Sequence, residues 1–121
     1  LLWDIALYTL PATDPVSRVK MLIESKPAEN HPLSWYCNKA GISIKYCGRQ
    51  FRTRYGVSPI NYRKKLRLRN AAFLLESTFL SLNAIAEDTG YSDIFTFSKA
   101  FKSEYAVSPG RFRTLNPKNQ S

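Results

Sequence analysis

From residue 30 to residue 75 the chain has no acidic side chain, although ten Lys and Arg fall in that stretch. The flanks differ: residues 1–29 hold three bases and four acids, and residues 76–121 hold five of each, so the middle carries the surplus behind the net charge of +9. Histidine is reduced to His31 and cysteine to Cys37 and Cys47. A four-ligand zinc site needs more thiol and imidazole groups at short paired spacings, so no metal ligands are expected. The two cysteines make no disulfide framework, and both fall in apolar helical patterns, where a free Cys acts as a small buried hydrophobe; a reducing cytoplasm is the compartment that fits. His31 has no nucleophile beside it, and there is no glycine-rich phosphate loop, so the expectation is no enzyme, no catalytic residue and no cofactor. The apolar opening, residues 1–10, is too short to span a bilayer and lacks the basic start of a signal peptide. No stretch alternates with period two, which points to an all-α chain.

What the chain does have is a repeat. Residues 51–59 read FRTRYGVSP and residues 101–109 read FKSEYAVSP, with Phe, Tyr, Val, Ser and Pro identical at an offset of fifty. The match runs forward to Tyr62-Arg63 and Phe112-Arg113. It runs backward to Gly41-Ile42-Ser43 and Gly90-Tyr91-Ser92 once one residue is inserted in the second copy between Ser92 and Phe101. One supersecondary unit is therefore used twice, in a chain of 121 residues that is long enough for one ordinary domain or two very small lobes.

The turn residues identify the unit. In the second copy Ser81 caps a helix from Leu82 to about Thr89, with Leu82, Ile85 and Ala86 on one face. Gly90 supplies the positive φ that ends it, and Ser92 is expected to cap the next helix, running to about Tyr105, with Asp93 at its positive end. In the first copy Pro32 precedes a helix from about Leu33 to Ala40, Gly41 turns, Ser43 caps, and a second helix runs to Tyr55. Gly56 ends that helix, whereas Ala106 stands at the equivalent place and is expected to require another ending. A short helix, a glycine turn and a second helix make a helix-turn-helix. Ser58-Pro59 and Ser108-Pro109 are helix starts. From Pro59 to about residue 76, Leu68, Ala71, Ala72 and Leu75 mark one long amphipathic helix. Upstream, Val19, Leu22 and Ile23 stripe a helix from Val16 to Lys26, behind a Pro11–Pro15 hinge. About seven helices are expected: 1–15 as the tail of an upstream sensor or dimerisation domain plus linker, 16–57 as the first helix-turn-helix subdomain, 58–80 as a linker helix, 81–114 as the second subdomain and 115–121 as a flexible tail.

A surplus of bases in a small domain favours a polyanion, and the second helix of each unit is the element that fits a DNA major groove. With Cys47 and Phe51 turned inward, Ile44, Lys45, Gly48, Arg49 and Arg52 share the opposite face; with Phe97 and Phe101 inward, Ile94, Phe95, Ser98, Lys99 and Lys102 do. Ile44, Lys45, Gly48, Arg49, Ile94, Phe95, Ser98 and Lys99 are thus the candidate base readers, Arg49 first, because a guanidinium can bond guanine O6 and N7 together. Ile94 and Phe95 can pack on thymine methyls or cover the preceding helix. Ser43, Arg52, Arg63, Lys64, Ser92 and Lys102 are the candidate phosphate ligands. Arg67, beside Leu68, is a brace before it is a phosphate ligand. A membrane binder is disfavoured because the bases lie on helices committed to a globular repeat. The rival of another class is a protein-interaction module in which the second lobe, with its neutral charge and its apolar Ile94-Phe95, holds a partner protein.

Over about residues 16–114 the chain resembles the AraC/XylS family of bacterial transcription regulators. Ile85-Ala86, Gly90-Tyr91-Ser92-Asp93, Phe97-Ser98-Lys99-Ala100-Phe101-Lys102, Val107-Ser108-Pro109 and Phe112-Arg113 carry the resemblance, with Arg67-Leu68, Ala71 and Leu74-Leu75 in the linker helix. It implies two homeodomain-like helix-turn-helix lobes joined by a long helix and reading successive major grooves of double-stranded DNA. It further implies a separate sensor or dimerisation domain, and activation by contact with RNA polymerase. The same eight base-reading positions carry over. Cys47 and Gln50 depart from the family pattern, which implies a smaller, softer core under the first reading helix, and Ala106 departs from it in place of the usual Gly.

Overall fold

The structure, a computed structural model, describes residues 14–116, and every regular element in that range is a helix. The expected upstream tail, most of the hinge before it and most of the C-terminal tail lie outside the described residues. Seven helices are present among the described residues: α1 Pro15–Ser25, α2 Leu33–Ala40, α3 Ile44–Tyr55, α4 Pro59–Ser77, α5 Leu82–Asp88, α6 Ile94–Tyr105 and α7 Pro109–Leu115. The chain divides into two compact units, residues 14–26 with 30–63 and residues 27–29 with 64–116, and α4 passes from one to the other.

The first unit buries Val16, Val19 and Ile23 of α1 against Tyr36, Cys37 and Ala40 of α2 and Cys47 and Phe51 of α3. Full burial of side chains like these stabilises by roughly 1.5–3 kcal/mol each. The two thiols are free and buried. Burial first, and the neighbouring Cys37 second, push the Cys47 thiol up to about 12, so it stays a neutral hydrophobe. Asp14 starts α1 by accepting from the Val16 N–H at 3.1 Å, and it also receives Ser17 Oγ at 2.7 Å and the Arg54 guanidinium from the end of α3. Burial alone would raise its carboxyl, but the Ser17 and Arg54 hydrogen bonds outweigh it and hold Asp14 below the usual range. Glu24 is held low in the same way, by Lys20 first and then by the Tyr62 hydroxyl. Arg63 turns inward, donating to the His31 carbonyl at 2.7 Å and the Tyr36 hydroxyl at 3.3 Å.

In the second unit the expected stripe of α4 is the core: Leu68, Ala71, Ala72 and Leu75 are buried with Ile85, Ala86, Phe97, Ala100 and Phe101. Arg67 is 6% exposed. Its guanidinium donates to the carbonyls of Pro27 at 2.6 Å, Glu29 at 2.9 Å and Gly90 at 3.4 Å. A buried cation needs such acceptors, since an unpaired one would be costly.

Two expectations are corrected. The helix that lacks a glycine at its end stops like its counterpart: Ala106 takes φ +69° and sends its N–H to the Lys102 carbonyl, as Gly56 does at φ +76° to Arg52. The packing that follows, with Tyr105 and Phe112 on Phe101, holds a conformation that an L residue adopts at a cost of about 1–2 kcal/mol. The second correction concerns the start of α6. Asp93, not Ser92, is its cap: Asp93 accepts from the Thr96 N–H at 2.7 Å and from Thr96 Oγ1 at 2.9 Å. Ile44 and Ile94 both begin their helices, so Asp93 stands where Ser43 does, the extra residue of the second copy lies in the turn before it, and Ser92 Oγ stands 3.5 Å from the capping carboxylate.

Candidate nucleic-acid interface

Ser43 sets the direction of α3. Its hydroxyl accepts from the Tyr46 N–H at 3.1 Å, which leaves the rest of the first turn facing outward. Cys47 and Phe51 go into the core, so the opposite face turns to solvent: Ile44, Lys45, Arg49 and Arg52 are exposed and Gly48 lies between them. That face and the start of α4 form an open groove of about 570 Å³, lined by Leu33, Ser58, Pro59 and Ile60 opposite the Lys45, Arg49 and Arg52 side. Ser58 Oγ caps α4 through the Asn61 N–H at 3.2 Å. The far wall of this groove escaped the sequence reading, which treated each reading helix singly. The Ser58-Pro59 helix start was the available signal.

Among the described residues, Lys45, Arg49, Arg52 and Lys64 enter no ion pair or side-chain hydrogen bond. All four are exposed, in a stretch without a carboxylate. Cations left in that state repel one another and attract a polyanion. Arg63, one of the phosphate candidates, is instead half-buried on His31 and Tyr36, and Arg67 is enclosed by carbonyls, so the cations of α4 divide between structure and surface.

The second reading face is different. Phe95 is 82% exposed, whereas Ile94 is half-buried and packs on the core of its unit, so only one of the two expected apolar readers faces out. Ser98 is half-buried and Lys99 and Lys102 are exposed. The backbone N–H of Thr96, then its hydroxyl, hold the Asp93 carboxyl below the usual range, so it is charged near neutral pH. An anion there already occupies the helix N-terminus, which disfavours a phosphate at that point and removes the capping basis on which Ser92 was a phosphate candidate.

Among the described residues no cluster of three or more His, Cys, Asp or Glu could hold a metal, and no helix is long and apolar enough to cross a membrane. What the fold defines is a tandem helix-turn-helix protein with one cationic and one apolar-centred outward helix. The family profile of the helix-turn-helix domain matches residues 36–114, and the chain belongs to the AraC/XylS-type helix-turn-helix family of transcription regulators. It is 33% identical over 98 residues to the Msm operon regulatory protein of Streptococcus mutans, covering 81% of this chain and 35% of that protein. The C-terminal domain of AraT, a response regulator from Geobacillus stearothermophilus, is 32% identical with a TM-score of 0.79, covering 84% of each chain. The DNA-binding domain of AdpA, a global transcriptional factor solved in complex with a target DNA, superposes with a TM-score of 0.82 at 21% identity, over 88% of this chain and 96% of that one, a likeness of fold. The chain spans about a fifth to a third of the length of the first curated relatives it matches.

Proposed function

We propose that this chain is the DNA-reading part of a bacterial transcription regulator, binding double-stranded DNA sequence-specifically through α3 and α6 in successive major grooves. The observation that carries the reading is the outward face of α3, where Lys45, Arg49 and Arg52 stand exposed and without internal partners beside a helix start. In this reading Ile44, Lys45, Gly48 and Arg49 meet bases in the first lobe, and Phe95, Ser98 and Lys99 meet them in the second. Ser43, Arg52, Lys64 and Lys102 take phosphates. An upstream sensor or dimerisation domain, a cytoplasmic setting and activation through contact with RNA polymerase belong to the same proposal, on the strength of the family.

The test is selection of bound sequences from a random duplex pool at about 0.15 M salt, which suppresses nonspecific phosphate binding. A bipartite motif with halves about one helical turn apart is the expected result. Enrichment of nothing would overturn the reading. The exposed Phe95 favours one second reading, in which α6 holds a partner protein. A single short motif and a footprint of one groove would support that one instead.

A further inference from the structure

Helix α1 is apolar on two sides. Val16, Val19 and Ile23 fill the core of the first unit. On the opposite side Arg18, Met21, Leu22 and Ser25 follow one another at the spacing of a second helical stripe. With Lys39 of α2 they line an open groove of about 400 Å³. Met21 is 48% exposed there and Leu22 is half-buried. Arg18 Nε is buried and has no hydrogen-bond partner among the described residues, and neither Arg18 nor Lys39 enters an ion pair with them. A buried N–H left without an acceptor is uncommon and costly. Met21 and Leu22 offer nothing to a phosphate, so the groove suits an apolar occupant that brings one acidic group.

Residues 1–10, LLWDIALYTL, have that chemistry. At helical spacing Trp3, Leu7 and Leu10 form a stripe, and Asp4, the only charged side chain of the segment, stands at its edge. The reach also fits. Arg18 to Ser25 lie about 6–16 Å along α1 from Asp14, at about 1.5 Å per residue. From Leu10 to Asp14 the chain can span about 13 Å, enough to turn back along that face. A tether so short holds the segment at an effective concentration on the order of millimolar, so a weak contact is sufficient.

We infer that residues 1–10 dock on the outer face of α1, with Trp3, Leu7 and Leu10 over Met21 and Leu22 and the Asp4 carboxylate between the Arg18 guanidinium and the Lys39 ammonium. The groove is then an intramolecular interface of the first lobe. It does not rest on the DNA-reading proposal, since none of its residues belongs to α3 or α6.

Residue-resolved amide hydrogen exchange of the whole 121-residue chain tests this, with a free peptide of residues 1–10 as the reference. The expected result is exchange at residues 5–10 slowed at least about tenfold against the peptide and unchanged on dilution. Met21→Asp should return it to the peptide rate, whereas Phe73→Asp, at an exposed apolar residue of the second unit, should leave it slow. Asp4→Lys should also remove the protection, and combining it with Arg18→Glu and Lys39→Glu should restore it. Slow exchange at Val19 and Ile23 shows in each variant that the lobe is folded; where Met21→Asp unfolds it, the charge swap decides. Peptide-like exchange in the unaltered chain would overturn the inference. So would protection that survives both Met21→Asp and Asp4→Lys, which puts the segment elsewhere, or protection lost on dilution, which makes a second copy the occupant.

Discussion

The first lobe starts its reading helix with Ser43 and ends it with Gly56; the second starts with Asp93 and ends with Ala106. At the fifty-residue offset Phe51 matches Phe101 and Pro59 matches Pro109 in the interior, while the buried Cys47 gives way to Phe97 and the exposed Lys45 to Phe95. Close packing lets a volume change such as Cys47 to Phe97 stand only where the surrounding core changes with it, whereas an exposed side chain answers only to what it touches. The electrostatics separate in the same way. The first lobe leaves Lys45, Arg49 and Arg52 on its reading helix without acids, and the second spends a carboxylate on its helix start and pairs Lys65 with Glu104 at 3.3 Å. Two copies of one scaffold thus carry one cationic and one nearly neutral reading face.

The turn glycines offer the largest break between the copies. Gly41 and Gly90 both take positive φ, at +75° and +101°, but a Cβ at Gly41 meets nothing within 4 Å while one at Gly90 meets the Ala28 carbonyl at 2.7 Å and Arg67 Cζ at 2.8 Å. Gly41→Ala should therefore cost only the left-handed strain, about 1–2 kcal/mol. Gly90→Ala must also displace the backbone at Ala28 and the Arg67 guanidinium that holds it, and should cost about 3 kcal/mol or more. Denaturant unfolding of the two variants checks this, and equal losses would show that the segment yields without cost.

Base discrimination should separate the lobes next. Arg49→Ala is expected to relax preference at one base pair by about 1–3 kcal/mol, because it removes a bidentate donor. Lys99→Ala in the second lobe, losing a point charge beside Phe95, should weaken binding with little change of preference. Competition between the enriched duplex and its single-base variants measures both. Uniform weakening by Arg49→Ala across all duplexes would show it to be a phosphate ligand.

The architecture was largely written in local signals. Glycine at 41 and 90, Ser-Pro at 58–59 and 108–109, and the apolar stripe of Leu68, Ala71, Ala72 and Leu75 each mark a structural event whose cause is local, and the helices fall where those residues put them. The errors arose where two residues competed or where packing overruled preference. Ser92 and Asp93 can both cap, and the choice depends on which of them the inserted residue is; Ala106 is a poor left-handed residue held there by what packs around it. Ile94 and Phe95 are equivalent in composition, and only the fold says that the first turns to the core and the second to solvent. The inward turn of Arg63 was also illegible, since its acceptor is the backbone carbonyl of His31, more than thirty residues away.

The helix ends are a finer comparison. Ala106→Gly relieves the strain of an L residue at φ +69° but adds freedom to the unfolded chain, so a net gain of up to about 1 kcal/mol is expected. Gly56→Ala should lose about as much, since no neighbour lies within 4 Å of its added Cβ and only the strain remains. Paired thermal melts test the symmetry. A destabilised Ala106→Gly would mean that the alanine methyl makes contacts worth more than the strain.

Acid should distinguish the lobes least. The folded pKa values of Asp14 and Glu24 lie below their ordinary 3.8 and 4.5, so each carboxylate contributes stability that is fully present above those values and is lost as the pH falls through the lowered ones. Asp14 ties α1 to α3 through Arg54, and Glu24 ties it to α4 through the Tyr62 hydroxyl besides pairing with Lys20 inside α1. The second lobe has Asp93, fully exposed at the start of α6, whose protonation loosens one helix end. All these groups are open to solvent screening, which keeps the contributions small. As the pH is lowered to about 3, amide protection at Val19 and Ile23 should fall before protection at Leu68 and Leu75, by hydrogen exchange read residue by residue. Glu24→Gln should narrow the gap, because a neutral amide no longer changes its pairing with Lys20 across that range. Loss of protection in both lobes at one pH, with or without the substitution, would show that they unfold as a single unit and that the acid sensitivity belongs to the whole.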